Sequence, residues 1–355
     1  MIGQRIRRRE DPRFITGKGQ YVDDLQLPGA LHAAFVRSDL AHARIATIDA
    51  SEATALPGVQ VLTAADIDLG VLAVPFPGVP AGMFRPFMAD GKVRFVGEIL
   101  AVVLAQSREQ AADAAELVFA ELESLPAVIE PDDAMRDETL LFEELGSNIA
   151  LADGPREPSA ELFAGCEVVS EGAVVSQRIH VAPIEPRANA ARFADGRLTT
   201  WLCTQTPHQD RDRLADSLGL DPGQVHVLAP DVGGGFGGKG LGVEDVIVAW
   251  LARRTGRPVR WTDSTMVGMS RGETERRSIT SSSTPSSAAI AADFSAVATV
   301  GPYAISVTSR PGRTTRALYS GYGSSSISPF APWYRRLGSK KITGSSSAIA
   351  FWIIQ

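Results

Sequence analysis

The sequence predicts an α+β fold, because short apolar runs of strand length are interleaved with segments of helical period. "EILAVVLA" near 98–105 is a continuous apolar run of this kind. The segment after it, "SREQAADAAELVFAELE", repeats Ala, Leu and Val at helical spacing. Further along, Asp195-Gly196 separates two alternating runs, which is the strongest short signal for a β-hairpin. With 355 residues, 44% of them apolar and 21% charged, the chain is long enough for two or three globular domains.

The alternation of strand-like and helical patterns from about residue 20 to 125 predicts one compact α+β unit. Its first strands are "ALHAAFVRS" and "GVQVLTAADI", each apolar enough to be half or fully buried. A helix of about 15 residues is predicted after the strand at 98–105, where Ser107 and Gln110 fit a capping box. The acidic, aperiodic stretch "EPDDAMRDETLLFEELGSNIALADGPREPSAE" then predicts a surface linker, with a domain boundary near 130.

The second half of the chain leads to a glycine-rich loop. "CEVVSEGAVVSQ" alternates like a strand, and the hairpin around Asp195-Gly196 follows it. "DRDRLADSLGL" predicts a short helix, and "QVHVLAPDV" a strand that leads directly into the glycines. "VEDVIVAWLARRTG" predicts the helix after the loop.

The composition changes sharply after Arg277. Serine accumulates in runs, and Asp293 is the only acidic residue left, while basic residues continue without alternation or helical period. Such a pattern is as typical of out-of-frame translation as of a disordered extension. We therefore interpret 278–355 as an aberrant low-complexity tail, with a possible frameshift near codon 277.

Charge and hydropathy exclude several classes of protein. The net charge of -6 argues against a nucleic-acid-binding protein, since the cluster Arg5–Arg9 is the only basic one. That cluster precedes "EDPRFITGKG" rather than an apolar run, so a secretory signal is not expected and a cytoplasmic location is predicted. No apolar stretch approaches the ~20 residues of a membrane span. Cys166 and Cys203 form no paired motif, which predicts two free thiols and no metal site.

The loop "DVGGGFGGKG" allows two interpretations. Gly233–Lys239 satisfies G-x-x-x-x-G-K between a strand and a helix, the setting of a phosphate-binding loop. Against a nucleotide, Gly240 stands where a magnesium-binding hydroxyl is needed, and the bulky Phe236 lies inside the loop. A tight turn needs only one or two glycines. Their density indicates a backbone that presents N–H donors to a closely approaching, oxygen-rich ligand.

Residues 3 to 275 resemble the molybdenum-cofactor-binding large subunit of the xanthine dehydrogenase and aldehyde oxidase family. The resemblance is carried by "APDVGGGFGGK", "VRFVGEILAVVLAQSREQAADAAELV", "QRIHVAPIEPRANAARF", "LTTWLCTQTPH" and "RTGRPVRWTDS". It implies an α/β-hammerhead domain at 1–130 and the first part of a molybdopterin-binding domain at 131–277. Large chains of carbon monoxide dehydrogenases are similar in the same way.

The resemblance implies specific site residues. Gln205 matches the family glutamine whose amide hydrogen-bonds an oxo ligand of molybdenum, and Phe236 with its flanking glycines matches the backbone that approaches the metal and its dithiolene. Catalytic roles are therefore expected for Gln205 and Phe236, and cofactor binding for these two with Gly234, Gly235 and Gly237. Glu185, Pro186 and Arg187 match a family motif interpreted as an ion-paired corner. From the residues alone, Gln205 could equally be a surface glutamine at the end of a strand.

The resemblance also implies what the chain needs from outside itself. The cofactor is expected to be molybdenum-molybdopterin, in its cytosine dinucleotide form. Iron–sulfur clusters and FAD are expected on separate partner subunits, because two cysteines cannot ligate a cluster. Purines are not expected as substrates, since Gly240 replaces a glutamate of the purine-oxidising members; aldehydes, N-heterocycles or carbon monoxide remain.

The family's catalytic glutamate lies far downstream, in a subunit about twice this length. The chain is therefore expected to be a truncated large subunit that cannot complete turnover by itself. Two alternatives remain open: a nucleotide-binding enzyme that uses Gly233–Lys239, and a non-catalytic remnant that keeps a role in subunit docking.

Overall fold

The computed structural model describes residues 8–72, 78–151 and 181–263, together with residues 3, 5–6, 173–174, 303–304, 307–308 and 316–317. The chain divides into two compact units. One comprises residues 1–128 and 179–297, and the other comprises 129–178 and 298–355. Cys166 and nearly all of the tail at 278–355 lie outside the described residues. The frameshift hypothesis and the domain bounds at 130 and 277 therefore stay predictions.

Helices and strands alternate along the described residues. The helices are α1 (Asp11–Ile15), α2 (Ser51–Thr54), α3 (Arg108–Glu116), α4 (Pro131–Met135), α5 (Pro207–Leu218) and α6 (Val243–Thr255). The strands are β1 (Leu31–Arg37), β2 (Ala43–Asp49), β3 (Gln60–Thr63), β4 (Val71–Leu72), β5 (Arg85–Pro86), β6 (Lys92–Val93), β7 (Ile99–Ala105), β8 (Phe119–Ser124), β9 (Ala173–Val174), β10 (Ala188–Ala194), β11 (Arg197–Leu202), β12 (Val225–Leu228), β13 (Val259–Thr262), β14 (Tyr303–Ala304), β15 (Val307–Thr308) and β16 (Arg316–Ala317).

A seven-stranded mixed sheet forms the centre of the first unit, with the strand order β12-β11-β10-β13-β1-β7-β3. Strand β13 joins its two halves, because it pairs in parallel with β1 and antiparallel with β10. Helix α6 packs on this sheet, and residues 243–252 of the helix are all buried. The core is thus built from strands on both sides of residue 130.

A three-stranded sheet, β6-β2-β8, lies in the same unit. It contributes to a small apolar cluster around Ala43, Val93 and Leu100. In the second unit, α4 is followed by a loop that Asn148 stabilises. The Asn148 amide accepts from the Leu141 N–H at 2.8 Å and donates to the Thr139 carbonyl at 2.8 Å.

The helix predicted after Ser107 is shorter than expected. It ends at Glu116 after nine residues, and "FAELES" continues as strand β8. The 15-residue prediction is therefore wrong. The Ser107 hydroxyl does accept from the Gln110 N–H at 3.1 Å, as a cap should, but the Gln110 side chain accepts from Gln106 N–H and not from Ser107.

The predicted hairpin is confirmed, because β10 and β11 pair antiparallel across Asp195-Gly196. Both turn residues have positive φ, 52° and 72°, as a two-residue turn of this kind requires. The predicted strand and helix on either side of the glycine loop are β12 and α6. The predicted strand "CEVVSEGAVVSQ" lies outside the described residues apart from β9.

Candidate functional site

The glycine loop connects β12 at the edge of the large sheet with the first turn of α6. Strand β12 ends at Leu228, and α6 begins at Val243. Within the loop, the only backbone hydrogen bond is from Gly238 N–H to the Gly235 carbonyl, at 2.8 Å. The path of the loop is therefore set largely by side chains that reach it from other segments.

Glu185 contacts both ends of the glycine run. Its Oε2 accepts from the Gly233 N–H at 2.6 Å and from the Lys239 ammonium at 2.6 Å. The Lys239 side chain is 1% exposed and the Glu185 side chain 10%. Burying a lysine is tolerable only when its charge is paired, and Glu185 supplies that partner.

Gln205 anchors the second half of the loop. Its backbone N–H donates to the Lys239 carbonyl at 3.1 Å, and its side-chain Oε1 accepts from the Gly237 N–H at 3.1 Å. With Oε1 engaged by the loop, the Nε2 group of this exposed side chain is free to donate to a ligand.

Successive amides of the loop have no acceptor within the part of the chain that the structure describes. Among the described residues, nothing accepts a hydrogen bond from the N–H groups of Gly234, Gly235 or Phe236. Around them, φ is positive at Gly234, Phe236 and Gly237, at 91°, 50° and 89°. Alternation of this kind turns neighbouring amides toward one concave face, where they attract anionic or oxygen-rich groups.

Phe236 itself combines two unfavourable properties. A positive φ is costly for an aromatic residue, and its side chain is 74% exposed. Backbone strain and exposed apolar surface in one residue are typical of functional positions, where a bound group compensates for both.

At Gly233, Gly235 and Gly238, other parts of the protein occupy the space that a side chain would need. A Cβ on Gly235 would lie 2.5 Å from the Gln205 Oε1, and a Cβ on Gly233 would lie 2.6 Å from the Cβ of Glu185. A Cβ on Gly238 would overlap Val181. The glycines therefore let Glu185, Gln205 and the 181–185 segment approach the loop backbone closely.

The N-terminal segment stabilises the start of the loop. Arg13 donates two hydrogen bonds to the Asp231 carboxylate, at 2.7 and 2.5 Å, and Asp231 also pairs with the backbone of Gln20. The Gln20 N–H and the Arg13 guanidinium hold the pKa of Asp231 below its ordinary value. Sequence reasoning missed both Arg13 and Asp231, since their separation of 218 residues leaves no local pattern.

A buried charge cluster supports the site from the side of α6. Arg187 donates to Glu244 at 3.1 Å and to Asp245 at 2.8 Å, and Arg37 donates to Glu244 at 2.9 Å. Burial opposes ionisation of Glu244, but Arg187 and Arg37 outweigh it and lower the pKa of that carboxyl. Burial raises the pKa of Asp245 to about 6, against the effect of Arg187. The predicted ion-paired corner thus includes Arg187 as well as Glu185.

The residues expected from the sequence come together in one place. Gln205, which the sequence left open as a surface residue, contacts the loop that carries Gly234, Gly235, Phe236 and Gly237. The geometry counts against a nucleotide phosphate, because Lys239 is buried and paired with Glu185 rather than available to a ligand. Among the described residues, no three His, Cys, Asp or Glu side chains form a metal-binding group.

The free amides of the loop and the exposed Gln205 amide suit an oxygen-rich cofactor that is held by hydrogen bonds. Comparison with known proteins gives the class. The family profile "Molybdopterin cofactor-binding domain" matches residues 141–325, and "Aldehyde oxidase and xanthine dehydrogenase, a/b hammerhead domain" matches residues 16–126. The chain therefore belongs to the aldehyde oxidase and xanthine dehydrogenase family. Its fold is a hammerhead domain followed by a molybdenum-cofactor-binding domain.

Individual relatives agree with this family. The carbon monoxide dehydrogenase large chain of Afipia carboxidovorans is 40% identical over 76% of this chain and 35% of its own length. The nicotine 6-hydroxylase large subunit of Paenarthrobacter nicotinovorans is 35% identical over 74% of this chain and 33% of its own. Among solved structures, quinoline 2-oxidoreductase from Pseudomonas putida 86 has a TM-score of 0.67 and 39% identity, over 74% of this chain and 34% of that one. The matched part of the chain spans about a third of the length of each of these relatives.

Proposed function

We propose that this chain supplies the part of a molybdenum–molybdopterin site that holds the cofactor by backbone and glutamine amides, in an oxidoreductase of the molybdenum hydroxylase type. The observation that carries the proposal is the loop of unpaired N–H groups at Gly234, Gly235 and Phe236, beside the exposed amide of Gln205. Such donors stabilise oxygen and sulfur acceptors of a bound group without displacing it. When bound, the cofactor supplies two-electron oxidation of a small substrate.

The remaining steps depend on what this chain's own residues do. Gln205 and the loop amides bind and orient the cofactor, and the exposed Phe236 ring shields it from water. Glu185 is engaged by Gly233 and Lys239, so it is not proposed as the catalytic base. The base that turnover requires is proposed to come from outside residues 181–263, which agrees with a chain that does not complete turnover alone.

Substrate, partners and location belong to the same proposal. Aldehydes, N-heterocycles or carbon monoxide are the proposed substrates, with Gly240 in place of the glutamate expected for purines. Separate iron–sulfur and FAD subunits are proposed as electron acceptors, because the chain has two cysteines and a cluster needs four. The proposal also includes the cytosine dinucleotide form of the cofactor and a cytoplasmic location. Among the described residues, no helix is both long and apolar enough to cross a bilayer.

The first test compares two glycines of the same loop. A Cβ at Gly235 would displace Gln205, whereas a Cβ at Gly240 would lie 3.9 Å from the nearest atom, the Thr206 hydroxyl. The full chain, expressed in a bacterium that makes the cofactor, should contain molybdenum and released pterin in equal amounts, below one per chain. Gly235→Ala should lower both about tenfold, since loss of one good hydrogen bond is worth about that factor. Gly240→Ala should leave both unchanged.

The outcomes separate the parts of the proposal. Molybdenum and pterin absent from the wild-type chain would contradict cofactor binding and favour the non-catalytic remnant. Occupancy near one per chain would contradict the incomplete site. Equal loss in Gly235→Ala and Gly240→Ala would contradict the role of the Gly235 and Gln205 contact.

A further inference from the structure

We infer that Glu185 is a positioning residue that sets the curvature of the glycine loop, and so places its free amides for the cofactor. The inference rests on the proposed function for what the loop binds. It goes beyond the ion-paired corner, since it assigns to one carboxylate oxygen the role of fixing both ends of the loop. That oxygen contacts Gly233, the first glycine of the loop, and Lys239, which follows Gly238 near the end of the loop.

The first argument is that the loop has few other restraints. Its interior has a single backbone hydrogen bond, from Gly238 to Gly235. Gln205 restrains the second half through Gly237. Between Val232 and Phe236, Glu185 is the only side chain among the described residues that accepts from a loop N–H. Without Glu185, the stretch between Asp231 and the strained Phe236 would lose its hydrogen-bond acceptor at Gly233.

The second argument is the state of the other carboxylate oxygen. Glu185 Oε1 is buried and has no hydrogen-bond partner among the described residues. An unpaired buried acceptor costs folding free energy. The side chain holds this position although only Oε2 is satisfied, which indicates that the two Oε2 contacts determine where it lies.

The third argument is steric. The Glu185 Cβ lies where a side chain on Gly233 would be, so the two backbones are in close contact. A shift of Glu185 would therefore move the loop, and with it the amides of Gly234 and Gly235. The ion pair between Glu185 and Lys239 is buried, so solvent screens the attraction between the two side chains only weakly.

The charge of Glu185 must be separated from its hydrogen bond to Gly233. Two double variants do this: E185Q/K239M and E185M/K239M both remove the buried charges and have side chains of similar length. The Gln variant keeps an oxygen that can accept from Gly233 N–H, and the Met variant has none. Any difference between them reports that acceptor and not the ion pair.

Two measurements on the full chain decide the inference. Amide hydrogen exchange of the cofactor-free chain at Gly233, Gly237 and Gly238, the hydrogen-bonded N–H groups of the loop, should be about tenfold faster in E185M/K239M than in the wild type, and close to the wild type in E185Q/K239M. Molybdenum per chain should fall by about the same factor in the Met variant only. Thermal unfolding checks that both variants are folded.

Equal exchange rates and equal molybdenum in the two variants would overturn the inference and leave Glu185 a partner of Lys239 alone. If the wild-type chain takes up no molybdenum, the proposed function fails, but the exchange rates still test the role of Glu185 in the loop. A single change, E185Q, should lower stability through the unpaired Lys239 while it leaves the exchange pattern of the loop unchanged.

Discussion

Cys203 is a buried thiol next to the candidate site, and its ionisation should be strongly suppressed. It directly follows β11 and is 6% exposed, with its sulfur accepting from the Ala188 N–H at 3.1 Å. Burial, helped by the negative charge of Glu185, raises the pKa of the thiol from 9.0 to about 12. Only the thiolate is alkylated. At pH 9, native Cys203 should react with iodoacetamide about a hundredfold or more slowly than in the unfolded chain.

The measurement uses a Cys166→Ser background, so that Cys203 is the only thiol. The same protein in urea provides the unfolded rate. Because the folded state holds the thiol proton more tightly than the unfolded state, the contribution of Cys203 to stability is complete below pH 9 and is lost as pH rises toward 12. Equal alkylation rates in the native and unfolded chains would contradict this picture.

At the scale of single residues, the sequence indicated the site but not how it is held. Gln205, Phe236 and the glycines could be selected from the motif and the family resemblance. The positive φ of Phe236 could not, because it opposes the local preference of an aromatic residue and depends on contacts made elsewhere. The motif also suggested that Lys239 binds phosphate. In the structure Lys239 instead pairs with Glu185, which lies 54 positions away in the sequence. Tertiary pairings of this kind have no local pattern.

Helix α6 is paired with arginines from outside the helix, of which Arg187 contacts both acidic residues of its first turn. Glu244 and Asp245 occupy its first turn, where negative charge suits the helix dipole, and Asp245 also accepts from the Gly242 N–H at 2.8 Å. Both carboxylates are buried and both contact Arg187. Arg187→Met should lower the free energy of unfolding by about 3–5 kcal/mol, because it removes the arginine that pairs with the buried Asp245 and one of the two that pair with Glu244. Urea denaturation at pH 8 measures this loss.

Arg192→Met is the matched control, since Arg192 lies on β10, five residues further along, and is exposed. It should change stability by less than about 0.5 kcal/mol. The loss in Arg187→Met should shrink as pH falls toward 5, because Asp245 already has a raised pKa of about 6 and loses its opposing arginine. A carboxyl with a raised folded-state pKa favours the folded state as it is protonated. A loss that is independent of pH would argue against buried charge as its cause.

At the scale of elements, the sequence predicted whether a segment is a helix or a strand better than it predicted where the element ends. The hairpin at Asp195-Gly196 and helix α6 were predictable from local chemistry. Helix α3 was predicted too long because Ala and Leu continue past Glu116. From Val118 onward, however, burial alternates with a period of two, and β8 pairs with β2 rather than extending the helix. This segment forms a strand because it pairs with β2, which lies some 75 residues earlier in the chain.

At the scale of the whole molecule, strands on either side of residue 130 share one sheet. Strand β13 places Val259 opposite Leu31 of β1, and the main apolar cluster includes residues of β1, β7, α5 and α6. The sequence indicated each strand but not this order, because a parallel pairing across more than 200 residues is set by packing alone. The N-terminal strands and the loop-bearing segment should therefore unfold together.

The substitution Leu104→Ala tests this cooperation. Leu104 lies on β7 and is 1% exposed, in the same cluster as Trp250 and Trp261. Removing its buried side chain should cost about 2–5 kcal/mol of folding free energy.

In a background with Trp333→Phe and Trp352→Phe, tryptophan emission reports only Trp201, Trp250 and Trp261, all beyond residue 200. Because one sheet carries both segments, the transitions followed by tryptophan emission and by far-UV circular dichroism should shift together. Leu117→Ala, at a 38% exposed position, should shift neither. An emission transition that stays in place while the circular dichroism transition moves would show that the two segments unfold separately.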